Sequence, residues 1–415
     1  MKSLFFTALC FLTITCFSQI NISGKIVDER TNEGIAGASV YLNNSSCGTK
    51  TDADGKFKLS CSTMGAAEIV FSHLSYEKKI MSVLQGNEEN LTVALKAKQN
   101  NLNEVVIRPK QSKADLLKWM DVFLQNFIGN YDKTSKHCKI KNAEVLYFDF
   151  DRQENKLKAS AREPLLIENS HIGYKIRIEL DKFEYSFNTN QVLAVYSSFY
   201  DEVPQKDTVA ENQIKKNRRS YYYGSTMHFM RSLYKNKAIT EGFWLFKYSA
   251  VKNQEKFRVN SIIREKTAEA YAKGTDPSTA LNQFFSKDTI SYYNRIMEQN
   301  DMIKIDTVPI GVTKVTSKNR TSRTINFNFQ DTLLVMYQKN FPRAEPGVKI
   351  KFDPNKPTPV ITPVYVSTGM TFFREGGVNI ERNGYYPEMG LFMFGDMANR
   401  RFAWALPFDF NPDTP

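Results

Sequence analysis

The sequence predicts a mainly β protein, α+β overall, in which a small N-terminal β-sandwich precedes a larger β-rich unit with a few helices. Three observations carry this. Residues 23–60 alternate apolar and polar positions between Gly, Asp and Asn turns, the pattern of a small antiparallel sandwich. The chain holds 30 Phe and 20 Tyr, which suit pleated, half-buried surfaces. At 415 residues it exceeds what one core normally organises, so two units or more are expected.

The N-terminus comes first in the chain and sets the compartment. Lys2 precedes an apolar run from Leu4 to Phe17, and residues 1–18 read as a secretory signal peptide, too short for a comfortable span. Export to the periplasm, the outer membrane or the cell surface is the expectation. Cys16 raises lipid anchoring, although Thr13-Ile14-Thr15 departs from the Leu-Ala-Gly pattern that usually precedes a lipidated cysteine. No later stretch is long and apolar enough for a transmembrane helix.

The first unit is placed at residues 20–96. Its strands run through Lys25–Val27, Ala38–Leu42, Lys56–Leu59, Glu68–Leu74 and Leu91–Leu95, and Asp52-Ala53-Asp54-Gly55 closes a tight hairpin turn. Cys47 and Cys61 flank that turn, open either to a cross-strand disulfide or to reduced, partly buried thiols beside Cys138. Residues 97–135 read as a polar linker and an amphipathic helix over Ala114–Asn130. In that helix Leu116, Leu117, Met120, Phe123, Leu124 and Phe127 fall at helical spacing, and Gly129-Asn130 ends it.

Residues 136–415 form the larger unit. A meander is expected over 143–150, 156–161, 165–168, 174–180 and 183–187, then one helix from Ala210 to Tyr234. Thereafter the chain reads as mainly β, with strands at 303–308, 324–329, 333–337, 364–366 and 370–373 and a Pro-rich loop at 347–363. The 210–234 helix carries the densest cluster of reactive side chains. At helical spacing Tyr221, Ser225, His228 and Ser232 share one face, and Arg218, Tyr222 and Phe229 a neighbouring one.

Composition narrows the function classes. With 41% hydrophobic and 24% charged residues the chain is globular, not disordered. Its net charge of +12 fits either a dispersed solvated surface or contact with anionic partners such as lipopolysaccharide or acidic glycans. Nucleic acid is not expected, since no reader motif appears. No Cys-x-x-Cys pair, phosphate loop or dinucleotide glycine pattern is present, so no metal and no cofactor are expected. Asp52-x-Asp54-Gly55 echoes a calcium loop but lacks the later ligands. Ser225 and His228 lie three residues apart, yet a half-buried helix presenting them to a sheet explains them as well as a nucleophile does.

The residues of the first unit also carry a resemblance. Gly24-x-Ile26-Val27-Asp28, Gly34-Ile35-Ala36-Gly37-Ala38-x-Val40 and Thr51-Asp52-x-Asp54-Gly55-x-Phe57-x-Leu59 resemble the carboxypeptidase-regulatory-like domain. The resemblance implies a transthyretin-like (prealbumin-like) β-sandwich that is non-catalytic and extracytoplasmic. None of His73, His137, His171 and His228 begins the His-x-x-Glu pair of a zinc carboxypeptidase, so peptidase activity is not expected. Leu102–Ile107 resembles the segment that follows such domains in TonB-dependent receptors, which implies an accessory role in TonB-linked transport, or else it is a strand leading into the next unit. Residues 137–235 resemble uncharacterised secreted proteins of Gram-negative bacteria. Four Asp-Thr-aliphatic triplets, at Thr208, Thr289, Thr307 and Thr332, resemble the acceptor of a periplasmic O-glycosylation system, or else suit entry from turn to strand.

Two functional readings stand together. One is a non-enzymatic envelope module that binds a protein or a glycan. The other is a hydrolase of unrecognised type centred on Arg218, Tyr222, Ser225, His228 and Arg231.

Overall fold

The computed structural model describes residues 19–62, 67–83, 87–98, 113–129, 136–251, 253–272, 282, 284–299, 302–319, 321–340, 363–373, 375–387 and 390–413. Residues 1–18, the Leu102–Ile107 segment and most of the Pro-rich loop lie outside them.

The N-terminal unit is two facing sheets. β1 (Gln19–Asp28), β2 (Ser39–Leu42), β3 (Gly48–Lys50), β4 (Lys56–Ser62), β5 (Ala67–Ser72), β6 (Lys79–Val83) and β7 (Asn87–Leu95) form sheets of order β4-β1-β7 and β3-β2-β5-β6. β1 runs antiparallel to β4 and parallel to β7. Alternation puts Ile20, Ile22, Ile26, Leu59 and Val93 on one inner face and Val40, Leu42, Ile69 and Phe71 on the other.

The Asp52–Gly55 turn differs from expectation. It joins no hairpin but carries the chain from one sheet to the other, because β3 and β4 belong to different sheets. The Asp52 carboxylate accepts from the backbone N–H groups of Asp54 and Lys56 at 3.0 and 2.8 Å. Gly55 has φ +80, and a Cβ there would stand 2.5 Å from the Ile26 carbonyl oxygen, so only glycine fits.

Cys47 and Cys61 are joined by a disulfide that ties these two sheets together. Closing a loop of this size stabilises by about 3 kcal/mol in the chain-entropy account. Cys138 is buried and unpaired, and burial pushes its thiol up to about 12. In protein spanning residues 19–415, a thiol reagent at about pH 8 is expected to label nothing while the protein is folded. After unfolding without reductant it should label Cys138 alone, with Cys47 and Cys61 reacting only after reduction. Mass spectrometry of the labelled chain checks this.

α1 (Lys113–Phe123) continues as a π-helical turn, Leu124–Ile128, ended by Gly129 at φ +98. Phe123 and Phe127 are buried against Phe183 with ring centroids 4.8 and 6.2 Å away, whereas Leu117, expected on the apolar face, is exposed. The helix packs on an antiparallel sheet of β8 (Cys138–Ile140), β9 (Leu146–Asp151), β10 (Lys156–Ala161), β11 (Leu165–Asn169), β12 (Tyr174–Ser186) and β13 (Gln191–Glu202). The two strands expected at 174–180 and 183–187 are one, β12, with a bulge between Leu180 and Lys182.

The expected 210–234 helix is two helices, α2 (Thr208–Tyr222) and α3 (Thr226–Tyr234), broken at Tyr223-Gly224-Ser225. A second core lies under α3. It is covered by the sheet β15-β14-β18-β19-β21 and by the small sheet β16-β17-β20. These strands are β14 (Phe243–Val251), β15 (Met302–Ile305), β16 (Thr316–Asn319), β17 (Thr324–Phe327), β18 (Thr332–Gln338), β19 (Tyr365–Phe372), β20 (Val378–Ile380) and β21 (Leu391–Gly395).

Between β14 and β15 the described residues include two helices that the mainly β reading of this region does not contain: α4 (Gln254–Ala272) and α5 (Lys287–Glu298). Among the described residues neither helix buries more than two side chains, and α4 has almost no apolar pattern, although α5 is amphipathic. Local polar signals also define them: the Asn253 carboxamide accepts from Lys256 N, and Ser286 Oγ accepts from Thr289 N.

Within α4, Arg258 bonds the Glu255 carboxylate at 2.5 Å, and from across the pair Tyr292 of α5 donates to it at 2.8 Å. Arg258 first and Tyr292 second bring that carboxyl from 4.5 down to about 2. A group with a depressed folded value stabilises above its unfolded value and loses that contribution as pH falls through the folded one. The α4–α5 contact is therefore expected to be intact above about pH 4.5 and to loosen on acidification towards 2. A carboxyl NMR titration with a Glu255 midpoint near 4.5 would contradict it.

Candidate functional site

The helix break gathers most of the residues singled out in the sequence. Gly224 adopts φ +78, which turns the chain, and Ser225 restarts it as the N-cap of α3, its Oγ accepting from His228 N at 3.2 Å. The His228 ring is buried, with Tyr222, Tyr223 and Phe243 ring centroids 4.9, 5.3 and 4.8 Å away. Its Nδ1 accepts from Gly224 N at 3.1 Å, which places the ring hydrogen on Nε2, facing Glu241 Oε2 at 3.2 Å. Both ring nitrogens thus face a partner, and Ser225 Oγ serves backbone. The break also removes the shared helical face expected for Tyr221, Ser225, His228 and Ser232.

The two arginines are equally committed. Arg218 donates to the Ile172 and Gly173 carbonyls and to Glu202 Oε1 at 2.8, 3.4 and 2.9 Å, with its guanidinium over Tyr174 at 3.9 Å. Arg231 donates to the carbonyls of Asn383, Phe410 and Phe408 at 2.8, 2.9 and 2.9 Å. Tyr222 lies 5.4 Å under the Arg231 guanidinium, and burial raises its hydroxyl above the ordinary tyrosine value. The structure therefore brings Tyr222, His228 and Arg231 together and turns Arg218 towards β12. It spends each on holding α2, α3 and the C-terminal segment in place.

Around that anchor the N-terminal sandwich docks. Its Asn43–Ser46 loop lies against β13: Ser198 Oγ donates to Asn44 Oδ1 at 2.6 Å and Tyr200 N to the Ser45 carbonyl at 3.0 Å. The C-terminal segment closes the contact, with Phe408 N on the Asn44 carbonyl at 2.7 Å and Ser46 Oγ on Asp409 Oδ2 at 2.6 Å. Lys78 bridges to Asp181 at 2.7 Å.

Beside this contact, between the β2–β6 sheet and the outer face of β12, a cleft of about 610 Å³ opens. Arg177 and Glu179 of β12 line it. Tyr41 is buried at its edge and donates to Glu179 Oε1 at 3.2 Å. Burial, and next the Glu179 charge, hold the Tyr41 hydroxyl far above its ordinary value, so it stays a donor. Nothing local in the sequence announces this site: Arg177 and Glu179 read as the solvated face of an alternating strand.

The Asp-Thr residues occupy mixed settings. Thr208 opens α2 behind the cap Asp207, Thr289 lies in the first turn of α5, Thr307 follows β15 and Thr332 opens β18. Thr208 and Thr307 are exposed, and Thr289 and Thr332 half-buried. Among the described residues no group of three or more His, Cys, Asp or Glu could hold a metal ion, and no helix is long and apolar enough to cross a membrane.

The fold of the first unit is that of a two-sheet regulatory-type sandwich appended to a larger β-rich body. Residues 22–107 match the model of the CarboxypepD_reg-like domain, and the chain carries such a domain. A search of curated proteins finds no match. Among solved structures, a DUF3823 family protein from Bacteroides ovatus is similar at 11% identity and TM-score 0.17, over 45% of this chain and 82% of that one. A type II cohesin–X-dockerin complex from Acetivibrio cellulolyticus is similar at 15% identity and TM-score 0.17 over 19% of this chain, which spans only 58% of that one. A protein of unknown function from Bacteroides fragilis is similar at 9% identity and TM-score 0.16, over 91% and 95% of the two chains.

Proposed function

We propose that the protein is an exported cell-envelope module that binds a protein or glycan partner without catalysing its conversion. The observation that supports this most is the employment of the 218–232 residues. His228 bonds Gly224 and Glu241, Ser225 caps a helix, and Arg231 holds three carbonyls. A nucleophile and base need a hydrogen bond between hydroxyl and imidazole, and here those groups serve backbone and Glu241. The apolar leader and the Cys47–Cys61 disulfide support export, since disulfides persist in oxidising compartments.

Fractionation of the native host with detection of the full chain should place it in the envelope, and pull-down with residues 19–415 should co-elute a protein or glycan. Turnover of an ester, peptide or glycoside that is lost in both Ser225→Ala and His228→Gln would overturn the reading in favour of a hydrolase. For the four Asp-Thr threonines, an intact mass above that of the polypeptide, removed by chemical deglycosylation, supports sugar attachment. A bare mass ends that reading.

A further inference from the structure

Among the described residues, the inter-unit cleft is lined by an arginine that the fold itself does not bond. Arg218 and Arg231 are fully engaged, and Lys78 on the cleft wall is committed to Asp181 and to Ser197 Oγ. Arg177 is different. Among the described residues its guanidinium donates no hydrogen bond and forms no ion pair, and its Nε is buried without a partner.

What positions it is aromatic. Its guanidinium carbon lies 5.5 Å from the Tyr41 ring centroid and 5.6 Å from that of Phe199, and these two rings are themselves 5.4 Å apart. A guanidinium held against two rings stays oriented. Its planar fork of donors then matches the two oxygens of a carboxylate or sulfate. Lys50 and Arg162 line the same cleft and add positive charge.

The acidic residues of the wall leave that field in place. Asp181 is paired with Lys78 and Glu77 with Lys96, and the two remaining carboxylates, Glu163 and Glu179, stand against Lys50, Lys98, Arg162 and Arg177, so the wall stays net positive. Glu163 and Glu179 supply acceptors of the kind that sugar hydroxyls use. The volume of about 610 Å³ falls in the range that encloses a small-molecule ligand.

We infer that this cleft binds an acidic saccharide of one or two sugar units, its carboxylate or sulfate seated on Arg177 and its hydroxyls accepted by Glu163 and Glu179. This rests on the binding-module reading and names its ligand class. It also gives the docked arrangement of the two units a purpose, since the walls come from both.

The test is calorimetric titration of residues 19–415 with digalacturonate, galactose 6-sulfate, neutral lactose and inorganic sulfate. One acidic sugar is expected to bind at about millimolar Kd or tighter and lactose not to saturate. Whichever acidic sugar binds identifies the anionic group as carboxylate or sulfate. Arg177→Gln should weaken that binding by about tenfold or more, and Arg177→Lys by less. Where Arg177→Gln shifts the urea midpoint, Arg162→Gln serves as the readout and should weaken the same ligand. Equal binding of lactose, binding of inorganic sulfate as tight as that of the sugar, unchanged affinity in these variants, or no saturation by any acidic sugar each overturns the inference. A partner recovered by pull-down while the acidic sugars fail leaves the module reading standing and removes only this ligand.

Discussion

Replacing Arg231 by Met is expected to destabilise the protein by about 3–5 kcal/mol, the largest single-residue effect outside the apolar cores. Arg231 is 3% exposed and its guanidinium satisfies three carbonyls, those of Asn383, Phe408 and Phe410. Methionine keeps most of the stem volume and removes every donor, leaving acceptors stranded away from water. The consequence is directional. Phe408 and Asp409 tie the C-terminal segment to Asn44 and Ser46, so loosening that segment weakens the seat of the N-terminal sandwich.

Urea unfolding should show a lower midpoint at unchanged slope, and limited proteolysis should gain a cut within residues 406–413. Arg231→Lys should recover less than half of the loss, because an ammonium cannot reproduce the fork that reaches three oxygens. A midpoint within about 0.5 kcal/mol of the parent would show that water reaches these carbonyls once the arginine is gone.

The second large effect is at the helix break. Gly224→Ala places a Cβ in the left-handed region at φ +78 and drives it into the Tyr337 ring. The conformational term costs about 1–2 kcal/mol and overpacking about 1–3, for a combined loss of about 2–5 kcal/mol. The same shift pulls Gly224 N away from His228 Nδ1, now 3.1 Å distant. Loss of the acceptor signature at Nδ1 in imidazole nitrogen NMR should accompany the lower midpoint. Ser225→Ala, which removes only the cap, should cost about 1 kcal/mol and leave that signature unchanged. Equal effects of the two substitutions would mean that the break is held by capping and not by the glycine.

The N-terminal unit was legible because its information is local. Turn residues at Asp52–Gly55 and alternation through Ala38–Leu42 and Lys56–Leu59 lie within a few residues of the structure they specify. The 210–234 stretch was half legible. Its helical period was visible, but a glycine inside a helical run is compatible with continuity, and only the buried Tyr337 ring and the cap by Ser225 make the break obligatory. The mainly β reading misses α4 because its apolar rhythm is faint, and passes over α5 although Ile290, Tyr293, Ile296 and Met297 fall at helical spacing behind the Ser286 cap.

Residues 19–95 thus carry their own architecture in their pattern of turns and alternation, and the Asp52 carboxylate, which bonds Asp54 N and Lys56 N, works within its own turn. What Arg177, Arg231 and His228 do depends on partners far away along the chain. Tyr41 and Phe199 bracket Arg177, Phe408 and Phe410 meet Arg231, and Glu241 faces His228. A charged side chain reads the same in sequence whether its donors are satisfied or waiting. Only packing, which brings carbonyl acceptors to Arg231 and two aromatic rings to Arg177, tells the two arginines apart.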